Sequence, residues 1–350
     1  MLNNIKWLFR SGDNSRGCGE DREIVVSSRM RVARNIDGVP FEPKMKVQDA
    51  HYLINLIRSV VETRFKGHYL DLQKITHLEK ESLLECHLVS PAFIRGDKPA
   101  GVFITDKGTV SIMINEEDHL RIQGLTCGLD LPYVSSEVFH IEETIGEDVQ
   151  YAFHETYGFL TSCPTNIGTG LRASVLLHLP GLVFTNEVEK VLTGAVQIGM
   201  AVRGIYGEGS EIKGSLFQIS NQHTLGVKEE EMIETMTKLT HMIIDVEKKA
   251  RDVMLTKARN EFEDKIFRSL AVLKSARVIN TDEVLNLLSA VRLGAGAGIL
   301  KDITLDVVNE ILLVSRPANI QLYFGEVLEE RERDIKRAEY IRKRLGGDGQ

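Results

Sequence analysis

Three carboxylates, an imidazole and a guanidinium crowd into the seven residues Asn115-Glu116-Glu117-Asp118-His119-Leu120-Arg121. Adjacent carboxylates can hold a cation or accept a proton, and the four-residue spacing of Glu117 and Arg121 lets the two share one face of a helix. The competing interpretation is a solvated acidic loop, and the motif alone does not decide between them. A second concentration runs from Ser162 to Ser174: a thiol at Cys163, the turn Asn166-Ile167-Gly168-Thr169-Gly170, and Arg172. The turn has neither the Gly-Lys-Ser/Thr of a Walker A loop nor the spacing of a dinucleotide fingerprint. Arg172, with Ala173 and Ser174 at the start of a strand, lets backbone amides and a guanidinium face one anion. Cys163 reads either as a small buried apolar residue or, with Pro164 and a polar loop around it, as a partly exposed thiol.

A third polar, glycine-rich turn is Arg203-Gly204-Ile205-Tyr206-Gly207-Glu208-Gly209-Ser210-Glu211. Arg29, Arg31, Arg121, Arg172 and Arg203 all fall at the margins of expected strands. Bidentate guanidinium contacts from such a set suit a triphosphate in transfer, the alternative being five dispersed surface arginines.

The elements that must position these groups are legible in outline. Glu23–Asn35 alternates arginine with apolar or small residues, so it predicts a strand with Arg29, Arg31 and Arg34 on one polar face. Gly101–Asn115 predicts a hairpin around Asp106-Lys107-Gly108 that delivers Asn115 to the acidic motif. Further strands are expected at Ala173–Leu179 and Gly214–Ser220, and helices at Val47–Phe65, Ser135–Tyr157 and Thr185–Met200. After about Lys228 the chain turns to long helices, with a start at Asn280-Thr281-Asp282-Glu283 and a break at Gly294–Gly298.

The chain has 350 residues, which favours two domains. A 43% hydrophobic and 27% charged composition, with no apolar run of about 18 residues, predicts a globular protein with no membrane span. The N-terminus lacks a secretory signal, which makes the cytoplasm the expected location. Cys18, Cys86, Cys127 and Cys163 are widely spaced and form no Cys-x-x-Cys pair, so free thiols are expected. A net charge of −7 argues against a direct nucleic-acid partner.

Ser27-Ser28-Arg29-Met30-Arg31, Asn115-Glu116-Glu117-Asp118-His119, Cys163-Pro164-Thr165-Asn166-Ile167-Gly168-Thr169 and Arg203-Gly204 resemble, in order, the signature of the guanidino (phosphagen) kinases. From about Ile24 to Leu345 the chain is most similar to the bacterial protein arginine kinases, including Gly204–Glu211 and Phe217-Gln218-Ile219-Ser220-Asn221-Gln222. The resemblance implies an α+β fold. It pairs an antiparallel-sheet catalytic domain of the guanidino kinase/glutamine synthetase type with an all-helical C-terminal domain, divided as an extension 1–23, a catalytic domain 24–254 and a helical domain 255–350. It implies transfer of the ATP γ-phosphoryl group to arginine side chains of proteins, with Mg²⁺ carried by the nucleotide and no dedicated protein metal site. Glu117 is then the catalytic base, Glu208 the second carboxylate clamping the guanidinium, and Cys163 a neighbour of the substrate nitrogens. The implied ATP-binding set is Ser27, Ser28, Arg29, Met30, Arg31, His87, Arg121, Arg172, Ala173, Ser174, Val175, Leu176, Arg203, Gly204, Ile205, Tyr206, Gly207 and Glu208.

Arg333-Asp334-Ile335-Lys336-Arg337-Ala338 resembles a phosphoarginine pocket built from Arg333, Asp334, Arg337 and Ala338, which would act as an allosteric site; a solvated charged helix is the alternative. The implied partners are protein substrates with accessible arginines, a zinc-binding activator protein, a Clp unfoldase/protease that takes marked clients, a stress-response transcription repressor, and a second copy in a homodimer. The small-molecule members carry roughly one hundred residues before the first arginine motif, enough for a separate small domain. Here Ser27 comes almost at once, and Tyr206 stands where those enzymes usually have another arginine. Two rival functions follow: a kinase of free arginine, or a phosphoarginine-binding adaptor with weak activity.

Overall fold

The computed structural model describes residues 18–206 and 212–347. Its first strand, β1 (Val25–Arg34), runs through the centre of the sheet, followed by α1 (Val47–Arg64), β2 (Gly67–Asp71), α2 (His77–Glu85), α3 (Pro91–Arg95) and the hairpin β3 (Gly101–Thr105) and β4 (Val110–Ile114). Next come β5 (Leu120–Cys127), α4 (Leu131–Gly146) and the short pair β6 (Phe153–His154) and β7 (Gly158–Phe159). The catalytic region continues with β8 (Leu171–His178), α5 (Pro180–Phe184), α6 (Val188–Gln197), β9 (Met200–Tyr206), β10 (Ile212–Asn221) and the long helix α7 (Glu229–Lys257). The helical region is α8 (Arg259–Ser275), α9 (Thr281–Gly296), α10 (Leu305–Val314), α11 (Pro317–Phe324) and α12 (Glu330–Arg344).

Eight strands form one antiparallel sheet in the order β2-β3-β4-β5-β1-β8-β10-β9. Because side chains alternate across a strand, one face is apolar: Met30 and Val32, Leu120 and Ile122, Leu171, Ala173, Val175 and Leu177, and Phe217 and Ile219 are all buried. They share a core with residues of α1, α4 and α7, among them Leu53, Ile57, Val134, Val138 and Ile243. The close seating of α4 depends on Gly124, where a β-carbon would lie 2.7 Å from Val134. The sheet's other face is apolar only over β2, β3 and β4, where Leu70, Val102, Ile104 and Met113 pack with Leu83 and Leu322; over β5, β1, β8, β10 and β9 it is left largely to polar residues.

The helical region has its own core, with Ile266, Val284, Val291, Ile311, Ile320 and Ile341. It docks through polar contacts and one apolar anchor: His178 Nε2 lies 2.8 Å from Ser289 Oγ, Arg292 Nη2 donates to Arg22 O at 2.5 Å, and Leu322 is buried against Leu83, Val102 and Met113. The Asn280 side chain caps α9 by accepting from Glu283 N at 2.8 Å, at the start read from sequence. Helix α7 runs through the expected boundary at residue 254, and the chain turns at Ala258.

Several expectations need correction. The helix expected over Ser135–Tyr157 begins at Leu131 behind the Asp130 cap and ends at Gly146; the chain then folds into β6–β7, closed by Gly158 at φ +72. Thr185–Met200 is broken at Asn186, φ +57, and Met200 already belongs to β9. The cysteines are not all free. Cys18 and Cys127 form a disulfide, while Cys86 and Cys163 remain thiols. Spacing along the chain hid this contact, because Cys18 meets the end of β5 only through backbone pairing of Gly19 N with Cys127 O and Glu20 N with Leu129 O.

Candidate active site

Strand register brings the five arginines singled out in the sequence onto one face. On β1, Arg31 faces Arg172 of β8 and Arg29 faces Ser174; on β5, Arg121 faces Ala33 and Gln123 faces Arg31. Leu176 of β8 pairs with Gln218 of β10, which pairs with Arg203 of β9, and Ser220 pairs with Ser174. The polar face therefore carries Arg121, Arg29, Arg31, Arg172 and Arg203, with Gln123, Ser174, Gln218 and Ser220 between them. Arg172 donates to Ser220 Oγ at 3.0 Å.

These guanidiniums repel one another. Burial, then the charges of Arg172, Arg121 and Arg203, pushes Arg29 down to about 10; burial, then Arg121, Arg172 and Arg29, pushes Arg31 down to about 9. Arg172 is lowered by burial, Arg203 and Arg121. Arg29, Arg31 and Arg172 remain partly accessible to solvent and Arg203 is exposed, so the face is a crowded, open surface rather than a sealed core. A single-faced cluster of cations whose mutual repulsion has few counter-charges fits a polyphosphate. His87 adjoins this face. The residue as a whole is exposed, but the protein packed around its imidazole, followed by the charges of Arg316 and Arg29, pushes its pKa down to about 4, leaving a neutral ring.

Arg34 departs from the expectation that it shares this face. It is an odd number of residues from Arg29 and Arg31, so the pleat turns it to the other side. There it is 1% exposed, donates to Glu142 Oε1 at 2.8 Å and lies 3.5 Å from the Phe159 ring centroid. The same parity applies to Ser28, Met30, Ala173 and Val175, whose side chains point to the core face. Ser28 Oγ donates to Gly128 O at 2.8 Å and accepts from Asp130 N at 3.2 Å. Ser27, Ser174 and Leu176 lie near the arginine side, and Gly204 is on β9. The Ile205 and Tyr206 side chains, and all of Gly207 and Glu208, lie outside the described residues.

The acidic motif divides its labour. Glu116, with its side chain 3% exposed, accepts from Ser90 Oγ at 2.6 Å, Arg121 Nη1 at 2.7 Å and Glu117 N at 2.8 Å. Asp118 is buried and accepts from Asn35 Nδ2 at 2.9 Å, Ser162 N at 2.6 Å and Asn166 Nδ2 at 3.4 Å. His119 is buried too: its Nδ1 accepts from Ile36 N at 2.9 Å, and its Nε2 lies 3.0 Å from Pro40 O. Burial holds that imidazole below its usual range. Glu117 alone keeps its carboxylate open, 44% exposed, with Arg121 Nη2 at 3.3 Å. The pairing read as a helical face is in fact a loop residue meeting a strand residue.

Asp118 also ties the two motifs together, since Ser162 and Asn166 flank Cys163. The thiol is half-buried, 3.0 Å from Thr165 Oγ1, and opens the short 3₁₀ turn Pro164–Asn166. Most amides of the glycine loop are already taken within the fold. Gly168 N bonds Phe159 O and Thr169 N bonds Thr224 O, while Leu171 N is held by Thr169 Oγ1. Its glycines serve close approach: a β-carbon on Gly168, φ +108, would lie 2.3 Å from Thr224 O.

On α12 the four pocket residues do not present themselves equally. Arg337 and Ala338 are each 1% exposed, and Arg337 donates to Ser315 O at 2.6 Å, to Ile279 O at 2.9 Å and to Asp334. Arg333 and Asp334 are half-buried. Sequence reasoning quotes Gln218 and Ser220 only within a motif, without a role, and misses Gln123 on the arginine face and Ser90 behind Glu116. Reading Leu120–Cys127 as a strand would have found Gln123, two residues beyond Arg121.

A family model described as ATP:guanido phosphotransferase, C-terminal catalytic domain, matches residues 50–250, and one described as Protein-arginine kinase McsB C-terminal domain matches residues 259–349. A protein-arginine kinase of Clostridium kluyveri is 44% identical over 332 residues, covering 92% of this chain and 94% of its own. One of Halothermothrix orenii is 42% identical over 331 residues, covering 94% and 95%. Among solved structures, a lombricine kinase superposes with a TM-score of 0.60 at 25% identity, covering 69% of this chain and 71% of its own.

Proposed function

The chain belongs to the protein-arginine kinases of the ATP:guanido phosphotransferase family, and from that premise we propose that it transfers the γ-phosphoryl group of ATP to arginine side chains of proteins. The observation that carries the reading is the single-faced array of Arg29, Arg31, Arg121, Arg172 and Arg203 ending beside one open carboxylate, Glu117. The array would hold the triphosphate, with Arg121 joining it to the acidic motif. Mg²⁺ arriving with the nucleotide would add charge neutralisation. Phosphoryl transfer needs positioning and charge stabilisation more than covalent help, and both suit a rigid sheet.

An arginine guanidinium is protonated at neutral pH and a poor nucleophile. As its terminal nitrogen forms the N–P bond and the bond from the γ-phosphorus to the ADP oxygen breaks, a proton must leave that nitrogen. Glu117 is the acceptor for it, with Glu208 as the second carboxylate by motif and Cys163 beside the substrate nitrogens. Residues 24–254 would carry transfer, and residues 255–350 would bind phosphoarginine at Arg333, Asp334, Arg337 and Ala338. Marking of clients for a Clp unfoldase/protease, inactivation of a stress-response repressor, a zinc-binding activator, a homodimer and a cytoplasmic location are further parts of this reading, supported by the family resemblance. Among the described residues no helix is long and apolar enough to cross a membrane.

The test supplies γ-labelled ATP with an unfolded arginine-containing protein and, separately, with free arginine. Acid-labile, alkali-stable label on the protein is expected, because a phosphoramidate hydrolyses in acid. Label on free arginine alone would favour the small-molecule rival, and no label in either arm the binding-only one.

A further inference from the structure

Six residues, Glu85–Ser90, connect three parts of the molecule that the reaction would need in register. At one end, both Glu85 carboxylate oxygens accept from Ala318 N, at 2.9 and 3.0 Å, and Asn319 N donates to Oε2 at 2.8 Å. Glu85 thereby satisfies first-turn amides of α11, which have no partner within their own helix. Ser82 Oγ donates to Asn319 Oδ1 at 2.5 Å beside it, and Leu322 of α11 is buried among Leu83, Val102, Ile104 and Met113 of the catalytic region.

In the middle stands His87, at φ +60, a backbone conformation that costs a non-glycine residue free energy unless its surroundings enforce it. Its carbonyl accepts from Gln123 Nε2 at 2.6 Å, and Gln123 lies on the arginine face opposite Arg31. Leu88 O accepts from Ser111 Oγ at 2.6 Å. At the far end, Ser90 Oγ donates to Glu116, the carboxylate that holds Arg121 and the amide of Glu117.

We propose that Glu85–Ser90 is a strap through which α11 of the helical region sets the nucleotide face, with Glu85 as its positioning residue. Glu85 touches neither nucleotide nor acceptor. It fixes the end of α2 against α11, and the strained turn at His87 passes that position to Gln123 on the arginine face. The inference rests on the arginine face being the nucleotide site. By linkage it runs both ways: a ligand that orders the face must also tighten the α11 junction.

The experiment measures ATP binding and steady-state kinetics of the full chain and of Glu85→Ala and Glu85→Gln. Glu85→Ala should raise the ATP dissociation constant about tenfold, as coupling through remote residues allows, while leaving KM for the acceptor within about twofold. Glu85→Gln keeps the volume and one acceptor oxygen, so it should recover most of the loss. ATP binding as tight in Glu85→Ala as in the parent would overturn the strap. Equal loss for ATP and acceptor would do the same, because that is the mark of general destabilisation. Should Glu85→Ala not fold, amide exchange of the parent decides. Saturating ATP should slow exchange at Ala318 and Asn319, and unchanged exchange there would overturn the inference. A parent that binds no ATP overturns the nucleotide reading itself.

Discussion

Arg31 and Arg172 stand directly opposite each other on neighbouring antiparallel strands, two cations on the same face of the sheet where like charges are unfavourable. Arg121, Arg29 and Arg172 each add to the repulsion that lowers Arg31. An arrangement that costs the free protein stability is expected where a ligand of opposite charge relieves it.

Arg31→Gln should therefore separate binding from folding. The thermal midpoint of the nucleotide-free protein should stay level or rise, while ATP affinity falls roughly 10- to 100-fold, the loss of a charge-assisted contact of about 1.5–3 kcal/mol. Thermal melts with and without ATP test both halves, since a ligand that binds only the native state raises its midpoint. A lowered midpoint without ATP would assign Arg31 a structural role.

Neighbouring carboxylates should behave differently on amidation. Glu117→Gln leaves the fold intact and should lower kcat by about 10²–10⁴, the span of a general base, with ATP affinity kept. Asp118 accepts from Asn35, Ser162 and Asn166. Asp118→Asn would place an amide donor among those donors and should cost about 1–3 kcal/mol of stability. Denaturant melts alongside kcat would separate the two variants, and identical profiles would undo the division of labour.

His87 predicts a pH signature. Its folded pKa is depressed from 6.5 to about 4, first by burial and then by Arg316 and Arg29. Between those values the unfolded chain binds a proton that the folded chain does not, so stability is lost as pH falls from about 6.5 towards 4. His119 and His178 are depressed as well and push in the same direction. His87→Gln should make denaturant-derived stability less steep over that window. An unchanged slope would show that His87 titrates normally.

The disulfide between Cys18 and Cys127 closes a separation of 109 residues. By loop entropy a closure of that length is worth up to about 5 kcal/mol, and measured disulfides typically give about 2–4. Cys127→Ser should lose that amount under oxidising conditions and match the parent in excess reductant. Equal stability under both conditions would mean the pair contributes nothing.

How much of this was legible varied with the physics involved. The five arginines were found because alternation in Glu23–Asn35 and the polar margins of the later strands are local signals. Arg34 breaks that alternation because it sits an odd number of residues from Arg29 and Arg31, and Gln123 shows itself only once Leu120–Cys127 is recognised as a strand. The amides of the glycine loop looked free because their acceptors, Phe159 O and Thr224 O, come from segments that only the fold brings near. Neither the Cys18–Cys127 bond nor the Glu85–α11 contact leaves a trace in spacing: one joins residues about a hundred positions apart, the other residues more than two hundred. The four motifs fixed order and chemistry, but which carboxylate stays open depended on Ser90, Asn35 and the Cys163 loop folding against them.

The central claim is tested most directly by a single-turnover reaction of γ-labelled ATP with an unfolded arginine-rich protein, comparing the parent with Glu117→Gln at ATP concentrations that saturate both. The account predicts acid-labile label, located on arginine by mass spectrometry, accumulating with the parent and slowed by about 10²–10⁴ in the variant. Acid-stable label, or equal rates in the two proteins, would contradict it.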